Sequence, residues 1–219
     1  HEVLQEPVMI EVGRRATPVP TVRQVVYPVE AEQKRDLLCH LLRQKGMTQV
    51  LVFTRTKSRA DRLAGHLAQA GRRVAILHGG KSQGARTQAL DRFRSKRVEV
   101  LVATDIAARG IDVEGISHVV NFDVPNIPED YVHRIGRTAR AEAAGDAISL
   151  ASSEEIDFIR AIEQLIGAPI PRFVVGGFEP GAETLRRFTQ TPAPRSARIA
   201  SGAIRRFGPS RGHQRRRSA

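Results

Sequence analysis

Eight consecutive residues, His133-Arg134-Ile135-Gly136-Arg137-Thr138-Ala139-Arg140, hold three arginines and one histidine. So much positive charge does not suit a buried segment. An arginine presents a planar fork of N–H donors that matches phosphate oxygens, and guanidinium groups stabilise the charge that spreads over a phosphoryl group in transfer. With Arg137 and Arg140 three residues apart, the segment reads as half of a nucleotide-hydrolysing site. A solvated basic helix face is the competing reading for an isolated charge run.

The other half is not supplied by the Gly-Lys-Ser run. Gly80-Lys81-Ser82 follows an apolar run and precedes a helical period, as in a phosphate-wrapping P-loop. That motif needs a glycine five positions before Gly80, and the residue there is Ala75, inside the apolar run. Nor does an acidic pair at a strand end offer a magnesium site. Asp105 is the nearest candidate, and a lone carboxylate is more often a helix cap.

The elements that must position these residues alternate between β-type apolar runs and helical periods, which predicts a mostly parallel sheet covered on both faces. Strands are expected at 21–27, 49–53, 73–77, 98–103, 118–122 and 147–150. Helices are expected at 30–45, 58–70, 83–93, 128–135 and 154–166, the first with Leu37, Leu38, Leu41 and Leu42 on one face and a stop at Gly46. Such a sheet binds ligands at the carboxyl ends of its strands. Three stretches there suit a nucleic-acid backbone: Thr54-Arg55-Thr56-Lys57, Gln83-Gly84-Ala85-Arg86 and the run from Thr104 to Asp112. Their hydroxyls, guanidinium groups and backbone amides contact sugar and phosphate and read no base edges.

Taken together, these stretches resemble the second RecA-like domain of DEAD-box RNA helicases over residues 20–175. Val52 to Thr56 is similar to family motif IV, Gln83 to Arg86 to the QxxR element, Val102 to Asp112 to motif V, and His133 to Arg140 to motif VI. Asn121-Phe122-Asp123-Val124-Pro125 matches the segment between the last two. Within the family, Phe53 to Lys57, Lys81 to Thr87 and Ile170-Pro171-Arg172 most resemble the bacterial RhlE-type branch.

The resemblance implies roles residue by residue. Arg137 and Arg140 would act as arginine fingers on ATP held by another domain, and His133 would couple the two domains. Asp112 would contact the ribose, with Arg109 in the same interdomain stretch. Thr56, Arg86, Thr104 and Gly110 would hold the RNA backbone. Ala139 stands where the family usually has Gly. The implied cofactor is ATP with Mg2+, bound mainly by a missing N-terminal domain, and the implied partners are RNA and that domain. Without a P-loop and an Asp-Glu-Ala-Asp site, this chain alone should not turn over ATP at a useful rate.

Composition agrees with a polyanionic partner. The 219 residues carry a formal charge of +12 and a pI near 11.1. Residues 176–219 contribute ten Arg, no Lys and two acidic residues, leaving the body only mildly basic. This Gly, Pro, Ser and Arg-rich stretch is expected to be a disordered tail, open to RNA, the ribosome or RNA-degradation proteins. A non-enzymatic RNA-binding module working through that tail is the rival reading. Residues 1–20 read as a connector from a missing domain, since the chain begins at His1 without Met. No apolar run approaches the ~18 residues of a membrane span, and one cysteine, Cys39, fits a reducing cytoplasm.

Overall fold

A computed structural model describes residues 22–108, 113–138 and 145–189. Strands β1 (Val22–Pro28), β2 (Val50–Phe53), β3 (Val74–Leu77), β4 (Val100–Ala103), β5 (His118–Asn121) and β6 (Gly145–Ala151) form a single sheet in the order β1-β6-β5-β2-β4-β3. Every pairing is parallel. The helices are α1 (Lys34–Leu41), α2 (Lys57–Gln69), α3 (Gln83–Arg94), α4 (Asp105–Ala108), α5 (Pro128–Ile135), α6 (Ile156–Ile166) and α7 (Ala182–Thr189), with a 3-10 turn at Ser153–Glu155.

The central strands show why the sheet is parallel. β2 reads Val-Leu-Val-Phe and β4 reads Val-Leu-Val-Ala, and every one of these residues is buried. Only a sheet covered on both faces can hide such unbroken apolar runs. Alternate side chains go to opposite faces. Val50 and Val52 join Leu37, Leu41 and Leu67 beneath α1 and α2. Leu51 and Phe53 join Leu77, Phe93 and Leu101 on the side of α3 and α4. A third cluster, with Val26, Tyr131, Ile135, Ile159 and Ile162, seats α5 and α6 on β1 and β6.

Two expectations change. The first helix is shorter than 30–45, because the chain turns through Glu30–Gln33 before α1 and leaves it at Leu42, with Gly46 at φ +99°. The Glu30 carboxylate is used elsewhere: its Oε1 accepts from Gly181 N and from Thr184 Oγ1, both at 2.8 Å. The second change is the boundary of the tail. Residues 176–189, expected to lack structure, are ordered. Val26 N donates to Pro171 O at 2.9 Å and Phe173 N donates to Val26 O at 3.1 Å, so the chain runs along the edge of β1. Val175 and Phe178 then pack on the core, and α7 follows with Thr184 buried. The connector at 1–20 and the Arg-rich stretch at 190–219 lie outside the described residues. Among the described residues no helix is long and apolar enough to cross a membrane.

Candidate functional site

The loops of interest leave the carboxyl ends of neighbouring strands. Phe53 is in register with Ala103 and Asn121, and Leu77 with Ala103. The loops after β2, β3, β4 and β5 therefore rise side by side.

Helix α5 carries the arginine-rich segment. Pro128 at its first turn presets the backbone, and Tyr131, Val132 and Ile135 anchor its inner face. It ends at Gly136, whose N–H donates to Val132 O at 3.0 Å. A Cβ there would meet that same carbonyl at 3.3 Å, so glycine allows a tight exit from the helix. His133 is exposed on the outer face of α5, and Arg137 stands in the turn just past its end. Both line a cleft of about 230 Å3 together with Phe53, Asp105, Ala108, Asp130 and Arg134. Thr138 fixes the following chain by donating to Ile116 O at 2.7 Å.

Arg134 corrects the expectation that this segment is too charged to be buried. Its side chain is only 3% exposed. Nε and Nη2 donate to the two Asp105 carboxylate oxygens at 2.6 and 2.8 Å. Nη1 donates to Asn121 Oδ1 at 3.0 Å and to Asp123 O at 2.8 Å, while the guanidinium lies 4.9 Å above the Phe53 ring. Asp105, read from sequence as a lone cap, is thus the counter-ion of a buried arginine. The sequence showed both residues and gave no sign of their pairing, since the contact is set by the strand order.

The proposed RNA-facing residues sit on helix starts and strand ends. Thr56 caps α2, accepting from Arg59 N at 3.2 Å, and is exposed. Arg86 lies in the first turn of α3, where Nη1 donates to Gln83 Oε1 at 3.0 Å and Nε is buried without a partner. Thr104 is buried, and its carbonyl accepts from Ala107 N and Ala108 N at 3.1 and 3.0 Å, opening α4. Arg109, Gly110, Asp112 and Arg140 lie outside the described residues, as does Ala139.

The rejected P-loop is closed on itself. Lys81 Nζ pairs with Asp61 Oδ1 at 2.9 Å, and Ser82 is used to cap α3. His78 Nδ1 accepts from Gly80 N at 3.0 Å, so its Nε2 carries the proton and donates to Asp61 Oδ2 at 3.0 Å. The Lys81 ammonium holds the Asp61 carboxyl below the usual carboxylate range.

A second group of charges, not singled out in the sequence, braces the neighbouring loops. Lys34 is buried, ion-paired to Glu155 and bonded to Phe122 O at 3.0 Å. Burial pushes the Lys34 ammonium below its ordinary value, and Glu155 pulls the other way. Asp123, also buried, accepts from Arg55 N at 2.8 Å and pairs with Arg59 at 2.8 Å. Among the described residues no group of three His, Cys, Asp or Glu side chains is arranged to hold a metal.

Comparison with known proteins fits this geometry. The family model described as the helicase conserved C-terminal domain matches residues 33–142. The DEAD-box ATP-dependent RNA helicase CshA of Geobacillus kaustophilus is 41% identical over 161 residues, covering 74% of this chain and 34% of its own length. The ATP-dependent RNA helicase RhlB of Klebsiella pneumoniae is 42% identical over 194 residues, 88% of this chain and 44% of its own. The chain therefore spans a third to under a half of these relatives. Among solved structures, the E. coli DEAD-box protein SrmB bound to regulator of ribonuclease activity A superposes with a TM-score of 0.71 at 40% identity. That match covers 78% of this chain and 98% of that one. S. cerevisiae Dbp5 bound to RNA and ADP BeF3 gives 0.70 at 31% identity, over 82% of this chain and 48% of that one.

Proposed function

The chain belongs to the DEAD-box RNA helicases as their helicase C-terminal domain, and from that premise we propose that it is the second domain of an ATP-dependent enzyme that separates short RNA duplexes. The observation that carries this reading is the cleft beside α5. It presents His133 and Arg137, yet the one loop nearby with a Gly-Lys-Ser run is sealed by Asp61.

A cleft of about 230 Å3 suits one edge of a nucleotide and not the whole of it. The described residues fit the phosphate end of ATP, and they offer no donor set for Mg2+. ATP supplies the phosphoryl bond whose cleavage resets the enzyme. Arg137, with Arg140, donates N–H bonds to phosphate oxygens of a nucleotide held by the other domain. His133, exposed on α5, meets that domain. Asp112 takes the ribose, with Arg109 in the same interdomain stretch of sequence. Thr56, Arg86, Thr104 and Gly110 grip the sugar-phosphate backbone, and such a grip is indifferent to base sequence.

Placement in the RhlE-type branch rests on Phe53 to Lys57, Lys81 to Thr87 and Ile170 to Arg172. Half-buried Cys39, the only cysteine, supports the reducing cytoplasm as the site of action. The test is ATP turnover by the full-length protein with and without single-stranded RNA, together with strand separation of a short duplex. Turnover that ignores RNA would overturn the reading.

A further inference from the structure

Asp123 faces two ways. Its carboxylate receives Arg55 N at 2.8 Å and Arg59 at 2.8 Å, which fixes the loop that ends in Thr56. Its backbone carbonyl receives Arg134 Nη1 at 2.8 Å. Arg134 in turn grips Asp105 through two bonds, and Asp105 directly follows Thr104. One turn beyond Arg134 on the same backbone stands Arg137, whose N–H donates to Arg134 O at 3.0 Å.

We propose that Asp123, Arg134 and Asp105 form a positioning relay that ties the loops of Thr56 and Thr104 to the end of α5 and the turn beyond it that carries Arg137, so that RNA seating and nucleotide engagement are set together. This rests on the helicase reading of the two surfaces.

A buried ion pair does little for net stability, because desolvation offsets most of its attraction. An apolar residue under α5 would serve a core equally well. What the guanidinium adds is direction: a rigid planar fork, seated on the Phe53 ring, is bonded at once to the ends of β4 and β5. If the loop of Thr104 moves, Asp105 moves, and the fork cannot follow one partner without leaving another. Helix α5, and Arg137 with it, must shift as a unit. A lysine could hold one of these acceptors and not all of them, so charge alone does not reproduce the joint.

The experiment uses full-length enzyme, wild type and the variants Arg134→Lys and Asp105→Asn. Affinity for a labelled single-stranded oligouridylate is measured with and without a non-hydrolysable ATP analogue, alongside RNA-stimulated and RNA-free ATP turnover. The relay predicts that the factor by which nucleotide tightens RNA falls about tenfold in each variant, while RNA affinity without nucleotide stays within about twofold. It also predicts that the double variant loses little more than either single one. Asp105→Asn preserves size and shape and keeps the test alive if Arg134→Lys fails to fold. Coupling factors equal to wild type in Asp105→Asn would overturn the proposal. So would losses of RNA affinity, nucleotide affinity and thermal stability in step, the mark of a merely structural role. Wild-type enzyme without any coupling would instead overturn the helicase reading, and the relay with it.

Discussion

The Asp105 carboxylate receives one whole edge of the Arg134 guanidinium, Nε at 2.6 Å and Nη2 at 2.8 Å, across 29 residues of sequence. Truncating the arginine strands more than its counter-ion, since Asn121 Oδ1 and Asp123 O lose their donors in the same stroke. Arg134→Ala should lower the stability of the chain by about 3 kcal/mol, in the range for breaking a buried pair. Asp105→Ala should cost less, because Asp105 keeps 30% of its side-chain surface in water and the site can rehydrate from that side. Urea denaturation of the two variants gives the order.

Arg137→Ala in the full-length enzyme should cut RNA-stimulated ATP turnover by ~10³, the loss seen when an arginine finger is removed. Arg137→Lys should recover little of it, because a point charge does not replace a two-pronged donor. Steady-state ATPase assays decide this, and unchanged turnover in Arg137→Ala would remove the residue from the reaction.

Helix α7 hangs on Glu30. Thr184→Val removes one of the two donors to Glu30 Oε1 while filling the same buried space, and should cost about 1 kcal/mol. The local effect should exceed the global one: limited proteolysis between residues 178 and 189 should speed up well before the core is exposed. Equal cleavage rates in wild type and variant would show that α7 is held instead by Phe178, packed on the first core cluster, and by its own Phe188, packed on the third.

Stability should weaken as the solution is acidified through the histidine range. Burial holds the His118 imidazole below its ordinary value of 6.5, with Asp146 opposing and Arg23 assisting. The unfolded chain therefore takes up a proton from pH 6.5 downward while the folded ring stays neutral to a lower pH. Across that window the unfolded state binds more protons, so its share grows as pH falls. Melting temperatures followed from about pH 7.5 to about pH 5 should show a shallower decline in His118→Gln than in wild type.

Residues 190–219 hold eight Arg and no acidic residue. A cut after Pro171 would also remove the Phe173 bond to β1 and all of α7, so the clean truncation is after Thr189. If the eight arginines each meet a phosphate, truncation should lower the salt slope of single-strand RNA binding by ~0.7 per arginine. An unchanged slope would assign RNA binding to the sheet's loops alone, and a complete loss of binding would favour the tethering module over the helicase.

The layout of the sheet was legible because β2 and β4 are unbroken apolar runs and the helices between them carry regular leucines and alanines, so period alone identified them. The P-loop lookalike was also decided by sequence, at Ala75, and the Asp61 pair with Lys81 explains physically what holds that loop shut. What period could not reveal was pairing at long range. Arg134 looked like one more surface cation because its carboxylate lies on another loop, and nothing in the sequence singled out Lys34, which is buried against Glu155. Helix α7 was missed for the same reason. Its eight residues hold only three apolar side chains and follow a glycine-rich stretch, and what organises them is a glutamate 154 positions earlier.

Strand β1 pairs along its whole length with β6, Val22 opposite Gly145 and Pro28 opposite Ala151, and its outer edge meets Arg172. During synthesis from the amino end, β1 leaves the ribosome before the other strands and has no strand to pair with until more than half the chain has followed. The first strand made is thus the last to be placed. Any domain that precedes Val22 is joined directly to this late-arriving strand, so the geometry between the two domains is undecided until the second is finished.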